Sequence, residues 1–238
     1  MPATATLSAD LSLAQAQHVL RPSEYTAALI QALLVMPSGV SGADVLEMGF
    51  GSGVVLAALA RMGAASLSGI DCEAEAILAA GSMMRQIGWE ADLRLGTLWE
   101  PVRGRRFSLI VANLPHFPTD ARQIPDRLPS WSCGGHDGRR LLNPFLAGLA
   151  DHIAPGGHAV MTHNACVGLE ETQETLAASG LRAAILSTVM LPLPREKLAI
   201  LSPGILARED GRTIHRFGIY SFVQVHMLDI SAAAPGAE

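Results

Sequence analysis

The sequence predicts an α/β protein built on a doubly wound, mostly parallel sheet that ends in an antiparallel pair. Two observations predict it. Apolar runs of strand length alternate with amphipathic runs of helix length along most of the chain, the spacing of βαβ units. The first apolar run also ends in three alternate glycines that open a helix, the place where such sheets hold ligands. A length of 238 residues suits one full-sized domain.

Each element follows from its own residues. Residues 1–20, rich in Ala, Ser and Gln, are expected to form a flexible N-terminus. Pro22 and Ser23 read as a helix start, with Ala27, Leu29, Ile30, Leu33 and Leu34 at helical spacing. Residues 43–50 form a short apolar run, as a buried parallel strand does. A helix over 52–63 is closed by Gly63. The alternation continues with strand 66–71, helix 72–88, strands 91–96 and 107–113, helix 137–154 with Asp137 as N-cap, strand 157–163 and helix 169–180. Strands 181–191 and 216–228 have no long helix between them, hence the antiparallel pair. Their Pro/Gly-rich link, 191–215, reads as a substrate lid carrying Arg195, Lys197 and Arg208, or as a solvated loop. One domain over 21–230 and a disordered tail over 231–238 complete the expected organisation.

Composition narrows the function classes. Hydrophobic residues are 49% and charged residues 16%, a globular balance. A net charge of −5 argues against a protein that grips nucleic acid through its phosphates. Mean hydropathy is +0.29, yet no apolar run is long enough to cross a membrane. No basic segment precedes an apolar one at the N-terminus, so no signal peptide is expected. Cys72, Cys133 and Cys166 are far apart, which suits a reducing cytoplasm and predicts neither a disulfide framework nor a metal site.

The sharpest local signal is VLEMGFGSG, residues 45–53. Glycines between a strand and a helix allow positive φ and close approach of backbone to ligand. The helix start adds unpaired N–H groups and a positive dipole end. A dinucleotide loop has G-x-G-x-x-G/A, but here Val54 stands where its third glycine would be. Glu47 two residues before Gly49 favours a cationic ligand over a pyrophosphate. Asp71 closes the second strand, where a carboxylate accepts ribose hydroxyls or caps the next helix. The acidic-x-G-x-G-x-G pattern of Glu47, Gly49, Gly51 and Gly53 resembles motif I of the class I S-adenosylmethionine (SAM)-dependent methyltransferases.

A second segment supports that resemblance. Asn113-Leu114-Pro115-His116, at the end of the fourth strand, resembles the N-P-P-Y motif of amino-methylating class I enzymes. An amide or exocyclic amine is a poor nucleophile; a side-chain carbonyl and a backbone carbonyl can accept its two N–H bonds and aim its lone pair, while a ring stacks on it. This chain departs from the motif at Leu114 and at His116, which can stack, hydrogen-bond or act as a base. CGGHDGRRLL (133–142), GTLWEPVRGRRFSLIVANLPH (96–116) and RPSEYT (21–26) are similar to segments of the HemK/PrmC family, the release-factor glutamine methyltransferases. The family's bacterial members carry an N-terminal helical recognition domain, which is not expected here because motif I starts at residue 47.

The resemblance implies a Rossmann-like, doubly wound, mostly parallel seven-stranded sheet with a C-terminal antiparallel hairpin. It implies SAM as cofactor and S-adenosyl-L-homocysteine as product. Glu47, Gly49, Phe50, Gly51, Gly53, Asp71, Cys72, Thr97, Leu98, Trp99 and Asn113 would bind the cofactor. Asn113, Leu114, Pro115 and His116 would be catalytic, with Tyr25, His116, His136, His163 and Asn164 on the substrate side. The expected activity is methyl transfer to an amide or amine nitrogen of a small molecule or protein side chain, with a homodimer left open. An RNA or DNA amino-methyltransferase would share Asn113 to His116 but should carry a basic stripe, and none is evident. A SAM-binding subunit without catalysis is the other alternative. A nicotinamide-dependent oxidoreductase fits neither the glycine spacing nor Glu47.

Overall fold

The computed structural model describes residues 22–119 and 132–233. Among them the elements run α1 (Glu24–Val35), β1 (Asp44–Met48), α2 (Val54–Arg61), β2 (Ser66–Asp71), α3 (Ala74–Gln86), β3 (Asp92–Leu95), β4 (Phe107–Ala112), α4 (Leu142–His152) and β5 (Ile153–Asn164). Then follow α5 (Leu169–Ala178), β6 (Leu181–Pro192), α6 (Arg195–Ile200), α7 (Pro203–Glu209), β7 (Ile214–Phe217) and β8 (Tyr220–Ala232). The sheet order is β3-β2-β1-β4-β5-β8-β6, with β7 added beside β8. β1 to β5 pair in parallel, and β8 is antiparallel to β5, β6 and β7.

The central strands β1 and β4 are mostly apolar and buried, as strands covered by helices on both faces are. Leu46, Ile110 and Val111 have no exposed surface, and Met48 almost none. Strand order reverses between β1 and β4, so the carboxyl ends of these two strands open a crevice at the switch point. Every site residue discussed below on β1, β2, β3 or β4 lies at that edge.

Four expectations are corrected. The sheet has eight strands, not seven. The run read as one strand over 216–228 is split by a two-residue turn, Gly218-Ile219, between paired Phe217 and Tyr220. Gly218 adopts φ +62°, which a glycine takes without strain and which suits a tight hairpin. Asp137 does not cap α4, which begins five residues later; its carboxylate instead accepts the Arg139 backbone N–H at 2.9 Å in a local turn. β8 also runs past the expected start of the tail, with Ser231 paired to both His158 and Arg182. The N-terminus 1–20 and residues 234–238 lie outside the described residues.

The link after β6 is two short helices docked on the body of the domain. Leu193, Leu201 and Ile205 are buried. Ser202 donates its backbone N–H to Pro118 O at 2.9 Å and its hydroxyl to His136 O at 2.5 Å. Arg208 is paired with Glu209 and donates to Cys166 O. The Lys197 ammonium lies 5.9 Å from the centroid of the Phe117 ring.

Candidate active site

A cavity of about 270 Å³ opens at the crevice. Its floor is the glycine loop after β1. Gly49, Gly51 and Gly53 all have positive φ, so the loop folds flat and leaves its backbone bare. A Cβ on Gly53 would stand 2.7 Å from the Ala80 Cβ, so glycine also lets α2 and α3 pack closely.

The end of β2 ties this loop to the next. Asp71 Oδ2 accepts the Gly51 N–H at 2.8 Å and Oδ1 accepts the Glu73 N–H at 3.0 Å. Burial raises the Asp71 pKa, and these backbone donors oppose the rise. Beyond β3, Leu98 is the non-glycine residue in the left-handed region among the described residues, at φ +48°. Such strain persists only where the surroundings enforce it, and here it accompanies a leucine on the cavity wall. At the end of β4, Asn113, Leu114 and Pro115 form the facing wall. The Asn113 Oδ1 accepts the Thr162 hydroxyl at 2.7 Å.

Of the residues expected to bind cofactor, Gly49, Gly51, Asp71, Cys72, Thr97, Leu98 and Asn113 line this cavity. Glu47, Phe50, Gly53 and Trp99 do not. Phe50 is buried and turned beneath β2, its ring edge against Gly69. Trp99 faces away, stacked on Phe145 and on His152 at centroid distances of 5.1 and 4.3 Å, with its indole N–H donated to Phe145 O. An indole buries most surface where helix α4 offers it two rings and a carbonyl.

Glu47 lies behind the loop and is 2% exposed. The Leu56 backbone N–H in the first turn of α2 serves its carboxylate, while Oε2 has no partner. Burial, then the nearby Asp71 charge, pushes its pKa well above the ordinary range. A raised carboxylate pKa means stability that is full at acid pH and is lost as pH rises through the folded-state value. Glu47→Gln should therefore stabilise the unliganded protein by about 1–2 kcal/mol at pH 8. The gain should shrink toward pH 5, and urea titrations at the two pH values measure it; a pH-independent gain would contradict the buried-charge account.

On the substrate side the residues separate. His116 is 6% exposed and turned inward, its Nδ1 2.5 Å from Leu114 O, so it does not stack over the cavity as the motif would have it. Tyr25 meets its ring edge-on at 5.9 Å and donates its hydroxyl to Asn164 Oδ1 at 2.9 Å. Asn164 Nδ2 reaches His116 O at 3.5 Å. His163 has no exposed surface and bonds Thr172 Oγ1 at 2.9 Å through Nε2. His136 is exposed beside Ser202 and apart from this cluster. Tyr25, half-buried, thus joins the buried His116 and Asn164 in one polar group behind the wall. Among the described residues no cluster of metal-ligating side chains occurs, and no helix is long and apolar enough to cross a membrane.

Sequence reasoning missed Met48, Ile70, Glu73, Glu75, Ala76, Gly96, Arg140 and Leu141, which also line the cavity. Position alone could have found the strand-end residues Met48, Ile70 and Gly96, since ligands meet such sheets at the strand ends. Arg140 carried no such signal; its backbone N–H is bonded to Gly134 O, and Nη2 to Cys133 O at 2.9 Å.

The chain is similar to known methyltransferases. Residues 26–115 match the family model of ribosomal protein L11 methyltransferase (PrmA). A Methanocaldococcus jannaschii protein assigned as a protein N5-glutamine methyltransferase is 28% identical over 186 residues, 78% of this chain and 91% of that one. The release factor glutamine methyltransferase of Gloeobacter violaceus is 28% identical over 189 residues, covering 76% of this chain. The chain spans 65% of that relative's length. Among solved structures, the E. cuniculi Mtq2–Trm112 complex aligns with TM-score 0.59 at 16% identity, over 90% of this chain and 98% of that one. The ribosomal protein L11 methylase of Lactobacillus delbrueckii subsp. bulgaricus aligns with TM-score 0.56 at 18% identity, over 92% and 83% of the two chains.

Proposed function

We propose that this chain, a class I SAM-dependent methyltransferase resembling the N5-glutamine methyltransferases, methylates the side-chain amide nitrogen of a protein glutamine. The observation that carries the reading is the pairing of Asn113 with Leu114 at the cavity wall. Their two carbonyl oxygens are the acceptors that a primary amide's two N–H groups require.

The residues present fit SAM. The buried Glu47 carboxyl lies behind the glycine loop with Oε2 unpartnered, and a cationic ligand in the neighbouring cavity would favour its ionised form. A Cβ on Gly49 would project toward Leu114 Cδ2, 3.5 Å away, and narrow the cavity that the bare backbone leaves open. Gly49 and Gly51 would hold the methionine part, Asp71 the ribose hydroxyls through its remaining lone pairs, and Ile70 and Leu98 the adenine. When bound, SAM supplies a methyl group activated by the adjacent sulfonium. The chain's own task is then to orient the nitrogen and exclude water. Neither carbonyl is a base, so the methylated nitrogen sheds its proton to solvent.

Incubation with methyl-labelled SAM and three acceptors, a recombinant release factor, free glutamine and total RNA, tests the reading. Label on a glutamine of the release factor is the expected result; label confined to RNA or free glutamine would replace it. Asn113→Ala should leave S-adenosylhomocysteine affinity within about twofold and lower the transfer rate by about a hundredfold, the scale of one lost positioning donor or acceptor at a reacting centre. Unchanged transfer would remove Asn113 from the mechanism.

A further inference from the structure

The two oxygens facing the proposed nitrogen are held by two different buried donors. Asn113 Oδ1 receives the Thr162 hydroxyl at 2.7 Å. Leu114 O lies 2.5 Å from His116 Nδ1. At that separation a bare ring nitrogen would repel the carbonyl oxygen, so Nδ1 carries the proton and donates it.

We propose that His116 is a positioning residue: its Nδ1–H fixes the direction of the Leu114 carbonyl. Proline at position 114 would lock φ near its ring value; leucine leaves that torsion free. Pro115 restricts ψ of Leu114 to the extended range, so φ is the torsion left without a covalent constraint at the residue whose carbonyl must aim at the acceptor. A hydrogen bond from two residues downstream supplies that constraint instead. The carbonyl has two lone pairs; His116 takes one and the other serves the cavity.

The surroundings hold the imidazole to this task. Its ring is 6% exposed, set edge-on to Tyr25 at an interplanar angle of 70°. Tyr25 is itself tied to Asn164, whose amide reaches the His116 carbonyl. The Nε2 atom has no partner, which suits a lone pair better than an orphaned donor. Burial lowers the ring's pKa to about 4, so it is neutral at physiological pH.

This inference rests on the proposed nitrogen seat, and two measurements separate their fates. Selective ¹⁵N-histidine labelling reads the tautomer of His116 in the intact protein without any acceptor. A protonated Nδ1 and bare Nε2 at pH 7 are expected; a protonated Nε2 would overturn the proposal whatever the acceptor is. Kinetics with the acceptor found by labelling give the second reading. His116→Phe should lower kcat by about threefold to tenfold, the rate equivalent of one hydrogen bond, with S-adenosylhomocysteine affinity unchanged. His116→Asn, which places an N–H donor at the δ position, should retain most of kcat. Leu114→Pro should restore kcat in the His116→Phe background, because the ring then fixes what the imidazole no longer does. Additive losses in that double variant, or an undiminished kcat in His116→Phe, would show that His116 does not set the carbonyl.

Discussion

Asp71→Ala is expected to weaken S-adenosylhomocysteine binding by about a hundredfold, measured by calorimetric titration. Two effects combine. The carboxylate offers lone pairs to the ribose, and a hydrogen bond to a charged group is worth about 1.5–3 kcal/mol, or ten- to hundredfold in affinity. The same carboxylate also holds the Gly51 and Glu73 N–H groups. Gly51 belongs to the loop that forms the cavity floor, so the variant loses the ligand contact and the anchor of the floor together. Asp71→Asn should fall nearly as far, because its amide can present an oxygen to only one of those two donors. A loss of less than about threefold in both variants would mean that Asp71 merely starts α3.

The fold and the glycine-loop side of the candidate site were legible in the sequence because both are local. Strand β1, its three glycines and helix α2 are contiguous, and their periodicities and positive-φ residues announce themselves. Asp71 likewise stands at the end of its own strand. The substrate side was less legible because its geometry is made by distant partners. Nothing in residues 113–116 says that His116 turns inward; that depends on Tyr25 and Asn164, brought together by α1 and β5. Trp99 was misplaced for the same reason: its partners, Phe145 and His152, lie on α4. The eighth strand was hidden because Gly218 and Ile219 interrupt an otherwise continuous β-prone run without any polar turn residue. Leu98 shows the opposite limit, since a leucine at φ +48° contradicts local preference and is set by its tertiary surroundings.

The buried histidines should make this protein acid-labile well above the carboxylate range. His116 and His163 are neutral in the fold: burial is the main cause for each, and their pKa values fall to about 4 and about 3. In the unfolded chain both titrate near the ordinary histidine value of about 6.5. Between that value and pH 4 the unfolded state therefore binds more protons than the folded state. Stability is full above about pH 6.5 and falls as pH drops toward the folded values, by about 3 kcal/mol for His116 alone over the whole window. With both residues contributing, the slope approaches about 2.7 kcal/mol per pH unit. Glu47 works in the opposite direction, because its raised pKa restores stability on acidification, so the net fall is smaller than the sum of the histidines. Urea unfolding from pH 8 to pH 4.5 should show this decline, with His163→Gln losing about one proton's share of the slope. His163 makes one hydrogen bond, to Thr172, which a glutamine amide can replace. A flat profile across pH 6.5 to 4.5 in the wild-type protein would mean that these imidazoles are protonated in the fold, and the Nδ1–H of His116 would then no longer imply a neutral ring.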